Sequence, residues 1–211
     1  MWNAFIDDLR QWQNLVGAVV GGIFALGVAV LVAYLARSRE DRAAAMILTA
    51  AFVSIRARHT SLERLAKEQL VPANDYYKWL SEKLIQSRPK LSQVFEGSLA
   101  RLMLVNTWLA VHLELFRTLY HEMDEKLERL AEDYKNLHEN GAPLRPLANV
   151  EADQKLASDS FAAAVRHASC AEHLLALLVL GRMPTWHALR LRFLPDPTEK
   201  QCRELDQNSN S

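Results

Sequence analysis

Histidine beside an acid or a thiol is raw material for metal binding, acid–base work and nucleophilic chemistry, and this chain holds seven histidines and two cysteines. His121-Glu122 and Glu172-His173 are adjacent pairs. On a helix, neighbouring side chains diverge by about 100°, so neither pair chelates one ion well. His167 and His173 are six apart and also face differently. A di-metal carboxylate site in a helical bundle needs Glu-x-x-His on two helices, and that tetrapeptide does not occur. Cys170 and Cys202 make no Cys-x-x-Cys pair, and in the cytoplasm both are expected to be reduced thiols. On that reading Cys170 is a small core residue and Cys202 lies on a tail. The Gly-rich phosphate loops, the Gly-x-Ser-x-Gly elbow and His-Glu-x-x-His are missing too. The sequence therefore predicts no enzyme, no cofactor and no metal site.

The elements that carry these residues follow from hydropathy and proline spacing. Of 211 residues 50% are hydrophobic and 24% charged, and 25 basic residues balance 25 acidic ones, which removes the electrostatic case for nucleic acid. From Leu15 to Leu35 no residue is charged. At 1.5 Å rise per residue such a stretch spans roughly 30 Å, the thickness of a membrane core. A cleaved signal peptide fits poorly, because the start carries Asp7 and Asp8 against Arg10 alone. The expectation is a retained transmembrane helix over 14–36, preceded at 1–13 by an interfacial amphipathic segment with Trp2, Phe5, Ile6, Leu9 and Trp12 on one face. Trp12 and Tyr34 mark its two interfaces.

Orientation follows from the cations. Arg10 precedes the span, while Arg37, Arg39 and Arg42 follow it, so the N-terminus is expected outside and the rest in the cytoplasm, in contact with lipid headgroups. Within the span Gly17, Gly21, Ala25, Ala29 and Ala33 fall at every fourth residue, a small-residue stripe for helix–helix packing with a copy of itself or another span. The segment Trp12-Gln13-Asn14-Leu15-Val16-Gly17 resembles the Trp-Gln-x-Leu-[Ile/Val]-Gly opening of small uncharacterised single-pass inner-membrane proteins of proteobacteria. The likeness covers about the first 37 residues and implies a bacterial inner-membrane setting, without an activity.

Beyond the span, prolines at 72, 89, 143, 146, 184, 195 and 197 divide the chain into helical blocks. In the first, Ala45, Leu48, Phe52, Ile55, His59, Leu62 and Ala66 share a face. A short block, 73–88, has Asn74 and Asp75 as caps. The third block, 90–140, carries a seam of Leu99, Leu102, Asn106, Leu109, Leu113, Phe116, Tyr120, Met123, Leu127, Leu130, Tyr134 and Leu137, ended by Gly141. Asn106, its one polar position, resembles the buried asparagine that fixes coiled-coil register, or bonds a backbone carbonyl or water. The fourth block, from near Asn149 to Gly181, repeats the pattern with Ala157, Phe161, Ala164, Ala168, Ala171, Leu175 and Leu178. The acidic run Glu122 to Asp133 reads as a solvated face. Residues 183–194 are expected to tuck against the bundle or lie on the inner leaflet, and 195–211 to form a disordered tail.

The predicted fold is all-α: one N-terminal transmembrane helix continuing into a cytoplasmic antiparallel bundle of long helices over 37–194. The expected function is a membrane-anchored interaction protein presenting that bundle to a protein partner. The alternative is an oligomeric membrane-permeabilising protein or channel subunit, assembled through the small-residue stripe.

Overall fold

The computed structural model describes residues 2–87, 91–181, 200, 202 and 204, with side chains described from Val16 onward and at Trp12. Among them every regular element is helical. The helices are α1 (Trp2–Glu68), α2 (Tyr76–Ser87), α3 (Gln93–Leu102), α4 (Thr107–Asn140) and α5 (Leu147–Leu175), the last followed by a π-helical turn at Ala176–Leu180. The chain divides into two compact units, Met1–Arg42 and Ala43–Ser211.

In the first unit the side chains of Val16 to Arg37 are exposed, and from Val16 the helix contains a window long and apolar enough to cross a membrane, none of it buried. The side chain of Trp2 lies outside the described residues. Trp12 and Tyr34 are exposed, as are Arg39 and Arg42.

In the second unit the periodic apolar residues form one core. Leu48, Phe52, Ile55 and Leu62 of α1 are buried with Leu109, Leu113, Phe116, Met123, Leu127 and Leu130 of α4 and with Ala157, Phe161, Ala164, Ala168 and Ala171 of α5. Three phenylalanine rings knit α1, α3 and α4 together: Phe52 packs edge-on against Phe116 at 4.9 Å between centroids and against Phe95 at 6.0 Å. Such ring pairs add about 0.5–1.5 kcal/mol each beyond the area they bury. A second stretch, Leu147–Leu180, is also long and apolar enough to span a membrane, yet 56% of its most apolar window is buried, as expected of a core helix. The leucine run 174–180 lies within it.

Three details differ from expectation. The 90–140 block is two helices, broken at Met103–Asn106. Asn106 is therefore no buried seam asparagine: its backbone is extended and its side-chain oxygen accepts hydrogen bonds from the N–H groups of Trp108 (2.9 Å) and Leu109 (3.4 Å), capping α4. A short amide serves the orphan donors of a helix start better than it serves a dry seam. Gly141 ends α4 in the left-handed region (φ 75°), as its position predicts, but Gly181 is extended (φ −61°, ψ 155°) and makes no left-handed cap. Cys202 is helical and buried, so the tail is not structureless there, while the segment 183–194 lies outside the described residues.

α1 ends in a paired-bond cap in which Leu70 donates to Lys67 O and Val71 to Ala66 O, ahead of Pro72. Leu70 itself takes φ 50°, a conformation costly for a side chain with a Cβ, and it is exposed. Leu70→Gly is therefore expected to stabilise the protein by about 1 kcal/mol, and Asn106→Ala to destabilise it by about 1 kcal/mol. Urea unfolding of the detergent-solubilised chain checks both, through opposite shifts of the midpoint at unchanged slope.

Candidate functional site

α4 and α5 are joined by the short loop 141–146 and meet along their lengths. Their polar contacts fall in order: Tyr134 with Gln154 (3.0 Å), Glu122 with Ser160 (3.0 Å) and His112 with His167 (3.0 Å). Alanines at 157, 164, 168 and 171 leave room for this approach, so side chains far apart in sequence are pressed together out of water.

Two clusters result. At the loop end, Arg145 donates from Nε and Nη2 to Asp133 Oδ2 (2.9 and 2.5 Å) and from Nη1 to Asp153 Oδ2 (2.6 Å), while Lys126 Nζ stands 3.2 Å from Asp153 Oδ1. Asp133 is 1% exposed, which corrects the reading of the whole acidic run as a solvated face. Burial pushes the Asp153 carboxyl up, but the hydrogen bonds from Arg145 and Lys126 outweigh it and hold the group below the ordinary range; the same bonds to Asp133 and Asp153 raise Arg145. Tyr134 links this cluster to α2 through Ser81 (2.9 Å), and its phenol is raised by burial. A groove of about 550 Å³ opens beside it, between Tyr77, Lys78, Tyr134, Leu147 and Gln154.

At the other end lies a cluster of histidine and cysteine. His112 of α4 is buried at 1% exposure, and its Nδ1 lies 3.0 Å from Nδ1 of His167. His167 and Cys170 are three apart on α5, hence on one face. Cys202 comes back against them and is joined to Cys170 by a disulfide, with the Cα atoms 5.8 Å apart. This corrects the expectation of two separate reduced thiols. A ligand nitrogen of His112 and the sulfurs of Cys170 and Cys202 all lie within 4.8 Å of one another. Burial depresses His112 to about 4, so its ring is neutral at physiological pH.

The histidine pairs singled out by adjacency do not come together. Glu172 turns to Arg56 of α1 (3.0 Å) and Glu122 to Ser160, while His121 is exposed and His173 half-buried. The seam residues Leu99, Leu102, Leu109, Leu113, Phe116, Tyr120 and Met123 are all buried. Gly17, Gly21, Ala25, Ala29 and Ala33 are exposed in the single chain, and a Cβ built on Gly17 or Gly21 meets nothing within 4 Å. The sequence reading missed the pairing of His112 with His167, 55 residues apart, and of Cys170 with Cys202, 32 apart. The one local signal was the i,i+3 spacing of His167 and Cys170. No family model, curated protein or solved structure matches the chain.

Removing Arg145 strands a carboxylate that is 1% exposed, so Arg145→Ala is expected to cost about 3 kcal/mol, and Arg145→Lys most of that, because one ammonium does not bridge both acids. The Asp153 contribution is present above pH 3.8 and fades as the pH falls below it, since its folded-state value is depressed. Chemical unfolding of both variants at neutral pH, and of the wild type in acid, checks these directions.

Proposed function

We propose that this protein is a single-pass membrane scaffold of the bacterial inner membrane, with its N-terminus outside and an antiparallel helical bundle in the cytoplasm that recruits a protein partner. The observation that carries this reading is the contrast between its two units. The side chains from Val16 to Arg37 are exposed and almost wholly apolar up to Leu35, a surface that needs lipid, while the second unit closes its own core. Trp12, Tyr34 and the arginines at 37, 39 and 42 suit the two headgroup layers, and Trp2 is assigned the same role. The residue order of the α4–α5 contacts supports the antiparallel arrangement. In the turn before α4 and its first turn, Leu104, Val105 and Trp108 expose apolar surface of the kind a partner helix covers.

A second reading is an oligomeric membrane-permeabilising protein or channel subunit. It is favoured by the exposed stripe Gly17, Gly21, Ala25, Ala29 and Ala33, where another backbone has room to approach.

Native mass spectrometry of full-length protein, released gently from membranes, separates the two. The scaffold reading expects the 24.0 kDa chain to carry a second protein in fixed ratio, with Leu104→Glu weakening that complex and Gly21→Ile leaving it intact. A homo-oligomer that Gly21→Ile dissociates, together with ion leakage that it abolishes, establishes the second reading instead.

A further inference from the structure

His112, His167, Cys170 and Cys202 are all buried, and they converge from α4, from α5 and from the helical residues near the C-terminus. We propose that, in its dithiol form, the chain binds one zinc-type divalent ion between the thiolates of Cys170 and Cys202 and the imidazole of His112, whose ring His167 orients, and that the disulfide is the oxidised, metal-free alternative.

Distance supports this first. Tetrahedral coordination with Zn–S near 2.3 Å and Zn–N near 2.0 Å keeps the ligand atoms about 3.3–3.8 Å apart. The His112 nitrogen and both sulfurs lie inside a 4.8 Å limit, while His167 Nδ1 stands 3.0 Å from His112 Nδ1 as its hydrogen-bonded neighbour. Cysteine Cα atoms 5.8 Å apart span either a disulfide or a shared ion, so no backbone movement is required.

Charge supports it independently. Two thiolates in a buried site are strongly disfavoured alone, but they neutralise a divalent ion, and a neutral imidazole joins them without adding charge. Thiolate with imidazole in a tetrahedral arrangement selects zinc over the harder calcium and magnesium ions. His167 has a supporting role in this arrangement. One Nδ1 donates to the other, a hydrogen bond that holds the His112 ring in place beside the sulfurs. Compartment is the third support, and here the inference rests on the cytoplasmic orientation proposed above. Thiols there are kept reduced, so a convergent pair of cysteines beside two histidines is a ligand set more often than a permanent cross-link.

The exchange between the states balances. A peroxide takes two electrons from the two metal-bound thiolates: the sulfur–sulfur bond forms, the oxygen–oxygen bond breaks, two protons from solvent complete two waters, and the ion leaves. A soluble dithiol returns two electrons and two protons to the sulfurs, and a new ion displaces those protons.

The test is titration of the full-length chain in detergent, reduced and free of oxygen, with Co2+ as a spectroscopic stand-in for zinc. The expected result is the visible bands of a tetrahedral ion with thiolate-to-cobalt charge transfer in the near ultraviolet. Both should saturate at one ion per chain, be displaced by Zn2+ and disappear on addition of one equivalent of peroxide. Cys202→Ser should diminish the charge-transfer band and weaken binding at least about tenfold, and His167→Gln should weaken it similarly with the charge-transfer band retained. Far-UV circular dichroism verifies that each variant keeps its helices; if one does not, the wild-type titration decides. A reduced, folded wild type that takes up no Co2+, or a charge-transfer band indifferent to Cys202→Ser, overturns the proposal. Neither result bears on the scaffold reading, which the mass measurement above tests separately.

Discussion

The close approach of α4 and α5 is the constraint on which the rest of the second unit depends. Alanines along one face of α5 bring it near enough to the bulkier face of α4 for buried polar side chains to meet directly. With larger residues at 164, 168 or 171 the backbones would stand further apart, and hydrogen bonds lost in a dry interface are costly because the stranded groups find no water. The apolar seam therefore decides the geometry of both polar clusters, although it contributes no polar atom to either.

Much of the fold was legible in the sequence, because hydrophobic periodicity is local. The spacing of Leu48, Phe52, Ile55 and Leu62 gave the buried face of α1, and the alanine-rich repeat gave that of α5. The break before α4 was missed since Met103, Leu104 and Val105 continue the apolar character of the block, and a capping asparagine looks the same in sequence as one within a seam. Charge patterning misled at Asp133. The nearby acids Glu128 and Glu132 are exposed, but the neighbour of Asp133 in space is a guanidinium from the loop.

The candidate site was almost illegible for a related reason. Its four residues lie at separations that no motif encodes, and only the tertiary contact of α4 with α5, followed by the return of the chain near residue 202, brings them together. Adjacency of histidine and acid drew attention to 121–122 and 172–173, yet on a helix adjacency is the arrangement least able to focus two side chains on one point.

The ion pair between Arg56 and Glu172 closes a separation of 116 residues. During synthesis at roughly 5–20 residues per second, the face of α1 with Leu48, Phe52 and Ile55 waits on the order of 6–23 s before the α5 surface that helps to cover it has been made. The α4–α5 hairpin, by contrast, closes over short distances and is complete almost as soon as it emerges. The apolar face of α1 is thus covered in stages during translation, first by Phe95 of α3 and Phe116 of α4, which pack on Phe52, and last by α5.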